Sequence, residues 1–202
     1  MYDLFNSGTP SNLLPFDGSA ELYHKWLTVQ ESEHYFKALL NTIDWRQDEI
    51  MMFGKRIITS RKVGWYGDSP FRYIYSKTEK VAMPWTVELA DLKSRIELLS
   101  GARFNSCLLN LYHNGSEGMG WHADDEKSLD PSAPIASISL GATRTFRFKH
   151  KSREYKTSIE LPSGSLLLMN PPTQEFWLHT LTKTTRINSP RINLTFRLML
   201  PQ

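Results

Sequence analysis

The sequence predicts an α+β protein whose C-terminal half is an antiparallel sandwich or barrel of about eight strands, with two N-terminal helices packed on one face of the sheet. Three observations carry this. Apolar residues recur at helical intervals up to Gly101 and at intervals of two beyond it. Turn residues cut the second half into short segments, as at Asn114-Gly115, Pro131, Pro134, Pro162-Ser163-Gly164 and Pro171-Pro172. Both helical patterns precede the strands, so the helices have a sheet face to cover. At 202 residues the chain fits a single domain, because one core grows to roughly 250 residues before a chain splits. Hydrophobic residues at 40% and charged residues at 22% exclude a disordered chain or a disulfide scaffold.

Residues 1–18, with Gly8, Pro10, Pro15 and Gly18, read as an irregular arm wrapping the domain. A short strand follows around Glu21 to Leu27. Thr28 and Glu31 have capping-box spacing, and Tyr35, Phe36, Leu39, Leu40 and Ile43 then repeat helically, which predicts a helix over Val29 to Asn41. Pro84 opens a second helix with Trp85, Leu89, Leu92, Ile96 and Leu99 on one face, and Gly101 stands where a left-handed cap is wanted. Period-two alternation predicts strands near Phe104–His113, Gly118–His122, Ile135–Leu140, Thr143–His150, Tyr155–Leu161, Ser165–Met169, Glu175–Leu181 and Arg191–Leu200. The core is expected over 104–200.

Longer apolar runs such as Leu166 to Met169 stop far short of the roughly 18 residues of a membrane span. The opening MYDLFNSGTP lacks a basic start before an apolar stretch. No membrane partner is expected, and the reading is cytosolic. The lone Cys107 points to a buried, inert thiol. Net charge is only +3, but Arg144, Arg147, Lys149, Lys151, Arg153 and Lys156 face a single acid, Glu154, and Lys55, Arg56, Arg61 and Lys62 form a second cluster. Taken alone, the first cluster reads as a solvated hairpin rather than as the mark of a polyanionic partner.

In Arg191-Ile-Asn-Leu-Thr-Phe-Arg-Leu-Met-Leu the residues Arg191, Asn193, Thr195 and Arg197 share one strand face. An edge strand with a solvated face is one explanation. A pocket for a dianionic acid is the other, because a guanidinium offers a carboxylate a planar fork. Trp121-His122-Ala123-Asp124 sets an imidazole and a carboxylate two residues apart, on one face. Such a pair arises easily by chance, but His179 in a late strand supplies a possible third ligand. Two histidines and one carboxylate with open positions suit non-haem Fe(II), whereas structural zinc wants four closed ligands, often thiolates.

Asn110-x-Tyr112, Trp121-His122-x-Asp124-Asp125-Glu126, His179 and Arg191-x-Asn193-x-Thr195-Phe196-Arg197, in that order, resemble the AlkB family of Fe(II)- and 2-oxoglutarate-dependent dioxygenases. The match runs from about Phe53 to Phe196. It is closest to the vertebrate-type, duplex-DNA repair branch. The resemblance implies a double-stranded β-helix, or jelly roll, with His122, Asp124 and His179 at its mouth as metal ligands and catalytic centre. It implies that Arg191 pairs with the distal carboxylate of 2-oxoglutarate, with Arg197, Asn110, Tyr112 and Asn193 lining the rest. Oxidative demethylation of N-alkylated bases would follow, with Fe(II), 2-oxoglutarate and O2 required, ascorbate as reductant in vitro, and succinate, carbon dioxide and formaldehyde released.

The same resemblance makes 43–80 a nucleotide-recognition lid, from Arg61-Lys62-x-x-x-Tyr66-Gly67-Asp68 to Tyr73 and Tyr75. Tyr75 would clamp a base against His122; the family's duplex-active member has phenylalanine there, and tyrosine keeps the flat ring. Asp125 and Glu126 would favour a cationic methylated base and accept its exocyclic amine. Met52-Phe53-Gly54-Lys55 resembles a finger hairpin that fills the gap left by a flipped base, although a core phenylalanine explains Phe53 equally. The two basic clusters would grip phosphates. The expected partner is alkylated DNA carrying 1-methyladenine or 3-methylcytosine, with etheno adducts an open case. Duplex is preferred and single strands are possible; no obligate protein partner is expected, and the chain is a monomer. The location is cytoplasmic in a bacterium and nuclear in a eukaryote. The same chemistry on RNA or protein, and a non-catalytic nucleic-acid-binding jelly roll, remain the alternatives.

Overall fold

The computed structural model describes residues 10–52, 55–75 and 78–201; of residues 48–52, 55–57, 72–75 and 78–80 it describes the backbone alone. In chain order the elements are β1 (Ser19–Tyr23), α1 (Val29–Thr42), β2 (Arg46–Met52), β3 (Lys55–Gly67), β4 (Arg72–Tyr75), β5 (Thr78–Val81) and α2 (Val87–Ser100). There follow β6 (Ser106–Tyr112), β7 (Met119–His122), β8 (Ile135–Gly141), β9 (Arg144–His150), β10 (Lys156–Leu161), β11 (Ser165–Asn170), α3 (Thr173–Phe176), β12 (Trp177–Leu181) and β13 (Arg191–Arg197). A seven-stranded sheet runs β1-β11-β8-β13-β6-β3-β2 and a four-stranded sheet runs β10-β9-β12-β7. These two antiparallel sheets form the jelly roll. β4 and β5 pair separately.

Strand alternation divides the apolar residues between two cores. On β6, Cys107, Leu109 and Leu111 face the helices, as do Ile192, Leu194 and Phe196 of β13 and Ala136, Ile138 and Leu140 of β8. Tyr35 and Leu39 of α1 and Leu89, Leu92 and Ile96 of α2 close this layer. Burial raises the Cys107 thiol well above its ordinary pKa, so it stays protonated and unreactive. The second core lies between the sheets, where Leu22, Leu167 and Met169 of the large sheet meet Phe146, Phe148, Trp177 and Leu181 of the small one.

The helices start and stop for local reasons. The Thr28 side chain accepts from the Glu31 amide at 3.2 Å, and the Glu31 carboxylate accepts from the Thr28 amide at 2.8 Å. The second helix begins later than Pro84 suggests. Thr86 is its cap, accepting from the Leu89 amide, while Trp85 lies outside and stacks on Phe196. At its end Gly101 takes φ 68°, a left-handed conformation that glycine adopts without a Cβ penalty. Leu99, expected on the apolar face, is exposed, as is Leu40 of α1. The Tyr35 hydroxyl donates to Asp91 and ties α1 to α2.

Three segments differ most clearly from the sequence pattern, the first being the strand expected around Glu21 to Leu27, which spans Ser19–Tyr23 and gives way to a turn before α1. The stretch 173–176 is a helical turn, so the strand expected from Glu175 begins at Trp177. The 43–80 region is more than a lid, because β3 pairs with β6 from Lys62↔Leu111 to Gly67↔Ser106 and extends the large sheet. Tyr66 is therefore buried among the helix-facing residues, its hydroxyl accepting from the Asp44 amide. Asp68 accepts from the Trp85 indole and pairs with Lys93, fastening the end of β3 to α2. Among the described residues no helix is long and apolar enough to cross a membrane.

Candidate metal centre and anion pocket

β7 and β12 are neighbours in the small sheet and pair His122 with His179. Directly opposed residues of an antiparallel pair point to the same face, which sets the two imidazoles side by side with ring centroids 4.2 Å apart. Two residues past His122, Asp124 brings Oδ1 to 3.9 Å from His122 Nε2. One ligand atom from each of His122, Asp124 and His179 lies within 4.8 Å of the others. Among the described residues no other group of three such side chains could hold a metal.

The orientation and charge of the three suit a cation. His122 Nδ1 lies 2.8 Å from the Gly120 carbonyl, which can only accept, so Nδ1 is the donor there and Nε2 is the nitrogen turned toward Asp124. Burial pushes His179 down to about 4 against the pull of Asp124, so its ring is neutral. Burial would raise the Asp124 carboxyl, but Arg197, His179 and His122 outweigh it and hold it below its ordinary value. Arg197 Nη2 donates to Asp124 Oδ1 at 2.7 Å.

The pocket beside the triad is lined by Asn110, Tyr112, Arg191, Asn193, Arg197 and the three ligands, so the predicted residues converge. The large sheet supplies them in register, since β13 pairs with β6 as Arg191↔Tyr112 and Asn193↔Asn110. Arg191 is 1% exposed. Its Nη2 donates to Ser139 Oγ and Asn193 Oδ1, both at 2.7 Å, and its Nε has no hydrogen-bond partner. Burial lowers it to about 10, with Arg144 adding to the effect. Arg191 and Arg144 both lie against the Tyr112 ring, at 5.6 and 5.8 Å. Among the described residues neither guanidinium has a carboxylate within ion-pair distance. A buried cation without a counter-ion is costly, so the pocket around Arg191 suits an anionic group.

Other expected site residues fall differently. Arg144 is no phosphate grip. It is 1% exposed and donates to the Asn114, Gly115, Glu117 and Thr182 carbonyls, clamping the loop before β7 to the end of β12. Arg61 is also withdrawn from the surface at 7% exposure, with Nη1 donating to Met119 Sδ, so it borders the pocket that Met119 lines. Asp125 and Glu126 are exposed and line a separate cleft of about 590 Å³, which shares Asp124, Met169 and Arg197 with the pocket. Asp125 lies 3.4 Å from Lys151. Phe53 lies outside the described residues, as do the side chains of Tyr73 and Tyr75 on β4.

Sequence reasoning missed Gln174. Its Oε1 accepts from the Asp124 amide at 3.0 Å, and Lys151 Nζ donates to its backbone carbonyl. It thus pins the turn that presents the carboxylate. Gln174→Ala is expected to weaken Mn(II) affinity by about 10- to 100-fold, the usual cost of losing an outer-shell partner. Titration followed by electron paramagnetic resonance measures this; unchanged affinity would make the contact incidental.

A jelly roll whose small sheet presents two histidines and a carboxylate toward a buried arginine has the build of a 2-oxoglutarate- and iron-dependent oxygenase. Residues 19–197 match the family model described as the 2OG-Fe(II) oxygenase superfamily. The chain is similar to DNA oxidative demethylase ALKBH2 of Mus musculus, 36% identical over 192 residues, which cover 91% of this chain and 77% of that protein. It is 35% identical to DNA oxidative demethylase ALKBH2 of Homo sapiens, covering 91% and 70%. It is 37% identical to alpha-ketoglutarate-dependent dioxygenase alkB homolog 3 of Homo sapiens, covering 89% and 66%. The solved structure of OsALKBH1 superposes with a TM-score of 0.59 at 17% identity, covering 92% of this chain and 99% of that one, which supports the fold. The chain belongs to the AlkB family of Fe(II)/2-oxoglutarate dioxygenases, whose reaction draws on Fe(II), 2-oxoglutarate and O2.

Proposed function

We propose that this protein repairs DNA by oxidative demethylation of bases alkylated on a ring nitrogen, such as 1-methyladenine and 3-methylcytosine. The observation that carries the reading is the pairing of the His122/Asp124/His179 triad with the buried, carboxylate-free Arg191 in one pocket. The DNA demethylase relatives supply the substrate class. A non-catalytic binding module would leave both the converging His122/Asp124/His179 set and the buried cation without a purpose.

In this reading His122, His179 and Asp124 would hold Fe(II), and Arg191 would take the distal carboxylate of 2-oxoglutarate. An iron(II) ion there supplies, with O2 and 2-oxoglutarate, the oxidation of the alkyl C–H bond, with succinate and carbon dioxide as coproducts and ascorbate serving as reductant in vitro. The chain's residues set where this happens. Arg197 and Gln174 fix the Asp124 carboxylate from its oxygen and its amide. Ser139 and Asn193 hold Arg191 in one rotamer. Asn110 has a buried, unpartnered Oδ1 aimed at the same space. Phe146 stacks on His179 at 5.3 Å and excludes water from that side. The hydroxylated methyl group then leaves the ring nitrogen as formaldehyde.

Tyr75 and His122 would clamp the extruded base, with Tyr73 beside them and Asp125 and Glu126 favouring its positive charge. A wedge at Phe53 would favour duplex. Phe53→Ala is expected to slow demethylation of a duplex more than of the matching single strand; equal losses would remove the wedge. The protein is proposed to act as a monomer. Competition between matched methylated DNA and RNA oligonucleotides tests the substrate class. Faster turnover of DNA is expected, and faster turnover of RNA would move the activity to RNA.

A further inference from the structure

The outer face of the small sheet carries a feature that the pocket does not use. Along β7, His122 turns into the roll and Trp121, its neighbour, turns to the opposite face, where it is 40% exposed. β7 is the edge strand of the β10-β9-β12-β7 sheet. Lys149 of β9 reaches across the intervening β12 to place Nζ 5.3 Å from the centre of the Trp121 ring. Burial alternates along β9, so Phe146, Phe148 and His150 face inward while Arg147 and Lys149 share the outward face. On β10 Lys156 stands opposite Lys149 and Ser158 opposite Arg147. Among the outward residues of these two strands the acid is Glu160, which accepts from the Thr145 hydroxyl.

The Lys149 ammonium lies over the Trp121 ring, yet the side chain stays 40% exposed, so a π-face and a phosphate can be met together at this edge. We propose that Trp121 and Lys149 form a second base platform that binds one unstacked nucleotide of a single-stranded substrate, with Arg147 and Lys156 carrying the adjoining phosphates. The inference rests on the nucleic-acid reading above. Trp121 and His122 are consecutive, so their Cα atoms are about 3.8 Å apart. A strand with its target base against His122 can pass a neighbouring nucleotide around the edge of β7 to Trp121. A duplex keeps its untargeted bases stacked and offers this platform nothing, so the contact selects single strands and overhangs.

The test uses the full chain and fluorescence anisotropy with a 1-methyladenine oligonucleotide, single-stranded and in a blunt duplex, without 2-oxoglutarate. Trp121→Ala is expected to weaken single-strand binding by about 5- to 150-fold, the span of one lost base stack, and to leave duplex binding within about twofold. Trp121→Phe is expected to restore most of the loss, which a folding defect in the alanine variant would not predict. Lys149→Gln should flatten the salt dependence by about one counter-ion. Unchanged single-strand binding in Trp121→Ala, or equal loss on both substrates, would overturn the platform while wild-type demethylation kept the enzyme reading. Failure of the wild type to bind either oligonucleotide would overturn both.

Discussion

Arg191→Met is expected to weaken 2-oxoglutarate binding by about 30- to 5,000-fold, the range for truncating one partner of a buried, hydrogen-bonded charge pair, without lowering the melting temperature of the ligand-free protein. The two halves of this expectation come from one fact. Arg191 is 1% exposed, keeps hydrogen bonds only from Nη2, and faces no carboxylate among the described residues. Replacing a buried charge with an apolar side chain of similar length is often neutral or stabilising. Asn193 keeps a donor in Ser137. Calorimetric titration with Mn(II) present reads the affinity, and thermal unfolding reads the stability. A large drop in melting temperature would show that Arg191 serves the fold, and unchanged affinity would place the diacid elsewhere.

Asp124→Ala should abolish metal binding and cost about 3–5 kcal/mol of stability, because it leaves Arg197 as a buried charge without its partner. Asp124 has a side chain 4% exposed and Arg197 one 15% exposed, joined at 2.7 Å. Asp124→Asn keeps an oxygen for Arg197 and should lose the metal at a smaller stability cost. Adding Arg197→Met to Asp124→Ala should recover much of the stability and none of the metal affinity. Denaturant unfolding alongside Mn(II) titration separates the effects. If the double variant is as unstable as Asp124→Ala, the lost stability comes from packing and not from the stranded charge.

Much of this site is written in local periodicity. The unbroken alternation of Arg191, Asn193, Thr195 and Arg197 against Ile192, Leu194 and Phe196 defines both faces of β13, and the structure puts one in the pocket and the other under the helices. Ser137 and Ser139 sit at alternate positions of β8 as small polar breaks in an apolar run, a signal available in the sequence but unread. Other features depend on partners distant in the chain. Arg144 counts as one more surface cation by composition, and only the folded chain shows it bonded to three carbonyls of the 113–118 loop and to that of Thr182. Gln174 lies in an aperiodic stretch after Pro171-Pro172, with nothing local to link it to Asp124, 50 residues earlier. The pattern in Lys55–Gly67 is irregular because the edge of β6 decides its pairing. The end of β13 at Arg197, before the expected Leu200, follows from the end of its β6 partner at Ser106.

The most direct measurement is mass spectrometry of a 1-methyladenine duplex incubated with the protein, Fe(II), 2-oxoglutarate and ascorbate, with succinate followed in parallel and His122→Ala as control. The expected result is loss of the methyl group with matching succinate in the wild type alone. Succinate without demethylation would keep the oxygenase and discard this substrate. Neither product from metal-loaded protein would contradict the assignment of His122, Asp124, His179 and Arg191 to one catalytic centre.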